Sequence, residues 1–393
     1  MEKRRQPPKK KKRVLIMGLY NYENLGDQLL GSCVKYLVDR CGYEGVAVGF
    51  QPERNGKRFE TYRRLRRLVS AYVPGSFKDF FYYRIMKWFV KPHYEECIKE
   101  RDGLIFGCGS YKYSTQNLWM TYSLAVDIAR KYGKPVMFHG MNIETFRKND
   151  WRCCHLKKRT NYNVVKMITT RDGDAGVARL RKDYIVNPDT EVFGVGDSAF
   201  WLKECFPPHT TGERTDVVGV NLIRKGIIKD YGGNVTPDEL LLVYVDLLKK
   251  LDEQNIEWEL FTNGEEPDYT FGLEILHTIG REDKNIAVSG TAKGLIDLIS
   301  GYKAVFGAKL HACIISYVTD TPFVGLCWEE KFWHFADTNN LMERFCDSRE
   351  LSGDRLFQIF TDTVDKPFDL KRREMWKRKN LEAIQLFLEK YVG

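Results

Sequence analysis

"RVLIMGLYNYENLGDQLLGSC" occupies residues 13–33, and its reading decides the fold. An apolar run of strand length gives way at Gly18 to a loop of Gly, Asn, Tyr and Asp. The chain then restarts near Gln28 with helical spacing. A short run that is apolar at every position is the mark of a strand buried on both faces, as in parallel sheets covered by helices. Two or three residues suffice to turn a chain, so this longer loop of Gly18, Asn24, Gly26 and Asp27 suits an oxygen-rich ligand. The competing role of Asp27 is helix N-cap, with the glycines serving a tight turn.

Working outward, the same strand–turn–helix unit recurs. Further strands are predicted at 46–50, 103–107, 135–140, 164–170 and 191–195, with helical patterns between them. At "KECFPPHTTGERTD" (203–216) the pattern breaks into Pro, Thr, Gly and charge, the composition of an interdomain connection. A second series follows, with strands at 217–223, 256–262, 285–289, 304–308 and 322–327. The predicted architecture is α/β, with two Rossmann-like doubly wound domains, residues 13–205 and 206–370, facing a cleft. Residues 1–12 read as a disordered basic tail, and 371–393 as a long helix able to pack back on the first domain.

The length of 393 residues suits two cores rather than one. The net charge of +9 is segregated: residues 1–13 and 57–91 carry 18 basic groups against three acidic, leaving 44 basic and 50 acidic elsewhere. Ten cysteines are scattered, and no pair or His spacing suits a metal, so reduced thiols and no metal site are expected. No stretch of 18 apolar residues exists and the first apolar run is too short for a signal peptide, which predicts a cytoplasmic protein.

The other chemistry-bearing motifs also leave strands. "FGCGSYKYSTQNLW" (106–119) is a Gly-rich turn able to bind an anion or a sugar hydroxyl, or simply to let a helix pack closely on a strand. "FHGMNIETF" (138–146) presents His139 and Asn142, and "TTRDGDAG" (169–176) presents Arg171 and Asp172; a core histidine and a structural ion pair are the alternatives. In the second series "GVNLIRKG" (219–226) offers Asn221 and Arg224. "FGAKLHACIISYV" (306–318) offers Lys309 and His311, which can meet one anion together. "GLCWEEKFWHFAD" (325–337) follows with Glu329, Lys331 and His334.

In their order and spacing, "NLGDQLL", "GLIFGCGS", "GKPVMFHGMNI", "ITTRDGDAG", "GVNLI", "KLHACIISYVTDTPFVGL" and the following Lys331 resemble the polysaccharide pyruvyl transferases. The resemblance implies a fold of the GT-B type and phosphoenolpyruvate as co-substrate, with no cofactor. The implied acceptor is a hexose of a surface polysaccharide or its polyprenyl-diphosphate-linked precursor, which would receive a cyclic pyruvate ketal with release of phosphate. On this reading Arg224, Lys309 and Lys331, with Asn221, hold the donor and His311 supplies a proton. Asp27 is the base, and Asn24, Gly26, His139, Asn142 and Arg171 position the sugar. The chain departs from the family in carrying Lys309 where Arg is usual and "GCGS" where a third Gly is frequent. A nucleotide-sugar glycosyltransferase is the first alternative. A non-enzymatic nucleic-acid-binding protein is the second, although the folded part lacks any nucleic-acid-binding motif and none is expected to bind.

Finally, "FKDFFYYRIMKWFVKP" (77–92) sets Phe77, Phe80, Phe81, Ile85, Trp88 and Phe89 near one helical stripe, with Lys78, Lys87 and Lys91 off it. Together with the basic residues from 57 onward, this pattern fits a peripheral seat on an anionic membrane at its inner face. A stripe packed into the first domain is the alternative.

Overall fold

A computed structural model describes residues 11–20, 24–50, 57–107, 109–114, 118–207 and 214–393. Most of the expected tail, positions 21–23 of the opening loop, Cys108 and the centre of the interdomain connection lie outside the described residues.

The first sheet contains β1 (Arg13–Gly18), β2 (Glu44–Gly49), β3 (Gly103–Phe106), β4 (Ser110–Tyr111), β5 (Val136–Ile143), β6 (Val165–Thr170) and β7 (Glu191–Gly194). They run in the order β2-β1-β3-β5-β6-β7, all parallel, with β4 beside the end of β5. The opening run is apolar throughout because its period-2 alternation feeds two cores. Val14 and Ile16 pack with Val34, Ile384 and Phe387 on one face, while Leu15 and Met17 pack with Tyr94, Ile98 and Trp119 on the other.

The second sheet holds β8 (Val218–Asn221), β9 (Trp258–Thr262), β10 (Ile286–Val288), β11 (Ala304–Gly307), β12 (Phe323–Cys327) and β13 (Phe345–Asp347). Its order is β10-β9-β8-β11-β12-β13, again parallel. Both orders reverse direction once, between β1 and β3 in the first sheet and between β8 and β11 in the second. Helices leave the sheet on opposite faces at such a point, which opens a crevice at the strand carboxyl ends.

Helix α1 (Leu25–Arg40) joins the lobes: its Leu25, Leu29 and Leu30 share a core with Leu295, Ile299, Leu310 and Ile314 of the second lobe. The last long helix, Leu370–Phe387, spans both. Its Arg373 pairs with Asp320 at 2.8 Å and Asn380 donates to the Gly196 carbonyl at 2.8 Å. Between β2 and β3 stand α2 (Lys57–Tyr72) and α3 (Gly75–Lys99), the latter anchored through Met86, Val90, Tyr94 and Ile98.

Candidate active site

The two crevices open into one cavity of about 290 Å³, lined from the first lobe by Asn24, Asp27, Ser110, Lys112 and Arg171, and from the second by Arg224, Tyr231, Glu265, Lys309, His311 and Lys331. Among the described residues, five basic side chains thus face two acidic ones.

The opening loop is built differently from its sequence reading. Helix α1 starts at Leu25, before Gln28, because Asn24 is its cap: the Asn24 side-chain oxygen accepts from the Gly26 amide at 3.0 Å. Asp27 therefore stands inside the first turn and is not the cap. Leu25 N–H reaches across to the Asn263 carbonyl at 3.0 Å, and the Asn24 amide to Glu265 at 3.3 Å, so the turn is tied to the opposite lobe. A methyl group at Gly26 would overlap the His311 ring. Glycine there is what lets the first turns of α1 and of the helix Leu310–Val318 come together, placing Asp27 beside His311.

Part of Asp27 faces the cavity. Burial raises its carboxyl to about 6 against the opposing pull of Lys331 and Arg171. Burial pushes the His311 imidazole down to about 3, helped by Arg171, Lys331 and Lys309, so the ring is neutral near pH 7. Its Nε2 is buried with no hydrogen-bond partner among the described residues. A buried ring nitrogen left unpaired is free to donate to or accept from a bound ligand, according to its tautomer.

The cations are braced by carboxylates. Lys309 leads into the helix Leu310–Val318, is 8% exposed and pairs with Glu265 and Asp268. Its backbone N–H donates to Asn221 Oδ1 at 3.0 Å, so Asn221 holds the strand end below the cavity and does not line it. Arg224 pairs with Asp230 at 2.6 Å. Lys331 meets Glu329 at 2.7 Å, and Lys112 from the first lobe bonds the same carboxylate. Burial would raise Glu329, but the two lysines overcome it and hold the carboxyl at about 2. Arg171 is fixed by Asp197 and covered by Gly109, whose φ of +64° and close approach to the guanidinium both favour glycine.

Two residues expected at the sugar site stand apart from the cavity. His139 is 1% exposed and bonds Thr169 and Asn380 at 3.2 Å each, because Gly140, at φ +62°, turns the strand and the last helix delivers Asn380 to the ring. Asn142 is buried and donates to Asp172 at 3.0 Å, helping to build an interlobe bridge. Asp172 in turn faces His334 at 3.4 Å, and His334 also meets Glu330 at 3.4 Å. Burial disfavours charge on His334, but Asp172 and Glu330 overcome it and raise the imidazole to about 9. Sequence reasoning left Lys112, Tyr231, Glu265 and Asp268 without roles. The only local signal was for Lys112, which follows the glycine turn at the first crevice.

Among solved structures the chain is similar to UDP-N-acetylglucosamine 2-epimerase from Rickettsia bellii, with 12% identity over 97% of both chains and a TM-score of 0.59. It is similar also to the S. aureus MnaA–UDP co-structure (8% identity, 97% of both chains, TM-score 0.58). A third is Anabaena HepE in complex with UDP-glucose (11% identity, 96% of this chain and 95% of that one, TM-score 0.51). At such identities the likeness concerns the fold, which is two Rossmann-like lobes in a GT-B-like arrangement. No curated protein matches the sequence. A family model described as polysaccharide pyruvyl transferase matches residues 24–329, from the cap of α1 to the carboxylate that braces Lys331. The match covers most of the length and both walls of the cavity, and the chain accordingly belongs to the polysaccharide pyruvyl transferase family, a transferase on a GT-B-like frame.

Proposed function

We propose that the protein transfers the pyruvyl group of phosphoenolpyruvate to two hydroxyls of one hexose in a surface polysaccharide or its lipid-linked precursor. In the reaction a proton adds to the donor methylene, two hydroxyl oxygens bond to C2, and the C2–O bond to phosphate breaks. Of the two hydroxyl protons, one ends on the new methyl group and the other on phosphate. The observation that carries this reading is one cavity where a carboxylate and a neutral imidazole meet five cations drawn from two lobes.

The donor bears a phosphate and a carboxylate, which Arg224, Lys309 and Lys331 would hold. A charge pair at about 4 Å is worth about 4 kcal/mol at the effective dielectric of such a cleft and about 1 kcal/mol in open water, so a closed wall is part of the donor site. His311 is neutral before the donor arrives. The arriving dianion raises its proton affinity, so protonation of the imidazole accompanies donor binding, and the ring then serves the methylene or the departing phosphate. Asp27, titrating near neutrality, takes the hydroxyl proton. Asn24 and Arg171 lie on the acceptor side, and the Tyr231 ring offers a face for a sugar.

The test is incubation with phosphoenolpyruvate and a panel of galactosyl, glucosyl and N-acetylmannosaminyl acceptors, with UDP-glucose as a parallel donor. Phosphate release together with a pyruvyl mass gain on one acceptor is expected. Sugar transfer from UDP-glucose without use of phosphoenolpyruvate would overturn the reading.

A further inference from the structure

Among the described residues, every strongly exposed Phe and Trp lies at one place on the surface. Phe77, Phe80, Phe81 and Trp88 stand on α3, and Trp151 opens the helix Trp151–Thr160 that faces it. Trp88 is 78% exposed, and Tyr72, at the end of α2, is 81% exposed. An apolar groove of about 1030 Å³ runs between Phe80, Trp88 and Trp151, with Arg84, Lys87 and Lys91 along it. The stripe read from the sequence is therefore divided. Phe89 is half-buried against Tyr62, with ring centres 5.9 Å apart, and forms part of the groove wall, while Phe77, Phe80, Phe81 and Trp88 are exposed.

We propose that the α2–α3 hairpin seats the protein on an anionic phospholipid bilayer. Three observations favour that occupant over a protein surface. Aromatic rings and basic side chains alternate along the hairpin, the combination that places rings at the headgroup boundary and charges on lipid phosphates. Residues 57–91 carry ten basic groups against two acidic, whereas the chain outside this segment and the first 13 residues is net acidic, so the positive charge of the folded part is concentrated on this hairpin. Helix α3, about 37 Å long, begins where Asp79 pairs with Arg152 at 3.0 Å. Arg152 opens the helix that follows the carboxyl end of β5, so the aromatic segment lies on the same side of the first sheet as the cleft. No helix among the described residues is long and apolar enough to cross a membrane, which makes this a surface seat. The inference goes beyond the proposed reaction, and its test needs no turnover.

The full chain is mixed with vesicles of phosphatidylcholine, with and without phosphatidylglycerol, and sedimented at low and high salt. Binding that requires phosphatidylglycerol and weakens with salt is expected. Phe80→Ser/Phe81→Ser/Trp88→Ser and Arg63→Gln/Arg67→Gln/Lys87→Gln should each weaken it about tenfold or more. All six positions are exposed, so both variants should fold, and an unchanged circular-dichroism melt checks that they do. Absence of binding to either vesicle would overturn the proposal, as would binding that both variants retain. Light scattering that shows a dimer dispersed by the aromatic variant would also overturn it, assigning the groove to a second copy of the chain.

Discussion

The two crevices that meet in the cleft are built on one topological plan and hold their charge differently. The first, between β1 and β3, presents Asp27, a carboxylate that burial raises to about 6 despite two neighbouring cations. The second, between β8 and β11, presents cations already matched to carboxylates: Lys309 to Glu265 and Asp268, Arg224 to Asp230, Lys331 to Glu329. The difference teaches how a basic cleft can exist without a ligand. Unpaired buried cations would be costly, so resident carboxylates hold them, and on the proposed reading these give way to the phosphate and carboxylate of the donor. On the same reading the Asp27 carboxylate is kept less stable, as a proton acceptor must be.

The largest effect that would break this contrast is in Asp27→Asn. Turnover should fall about 1,000-fold in a folded protein, while thermal stability at pH 7 rises by about 2 kcal/mol. The folded carboxyl sits above its ordinary value of 3.8, so the fold loses stability as pH climbs from about 4 to about 6 and Asp27 ionises. kcat/KM should climb between about pH 5 and about pH 7, with a midpoint near 6 that the Asn variant lacks. A lower melting temperature in Asp27→Asn would contradict the assignment. Gly26→Ala comes next. Overlap with His311 should cost about 1–3 kcal/mol in a denaturant titration and misplace both groups, reducing kcat more than donor KM.

A smaller effect concerns the bridge between lobes. The His334 imidazole is raised to about 9, so its contribution is complete below about 6.5 and is lost as pH rises through 9. Thermal melts should show the wild type losing about 1–2 kcal/mol across that interval, and His334→Gln should show a flatter profile. The smallest effect sharpens the displacement idea: Glu265→Gln should lower KM for phosphoenolpyruvate about twofold to fivefold by releasing Lys309. A raised KM would make Glu265 a positioning group and not a competitor.

Much of the frame was legible in the sequence. Runs such as Val14–Met17 and Val218–Val220 are apolar at every position because both sheet faces are covered, and the switch-point loops carried glycine and polar residues together. The two-residue β4 and three-residue β13 were too short to leave a period. The start of α1 was misplaced because a capping Asn three residues ahead of Asp27 competes for the same reading. The ion-pair web was invisible for a different reason: Lys112 and Glu329 are 217 residues apart, and nothing local marks either as the other's partner. His139 misled because a strand end normally points at the cleft, whereas here Gly140 turns the chain and a helix from the far terminus receives the ring.

The division of labour between the crevices is tested most directly by calorimetric titration of phosphoenolpyruvate into the wild type, Asp27→Asn and Lys331→Met. The account predicts that the wild type binds, that Asp27→Asn binds equally or more tightly with one negative charge gone from the cleft, and that Lys331→Met loses at least about tenfold in affinity. Donor binding abolished by Asp27→Asn but untouched by Lys331→Met would contradict it.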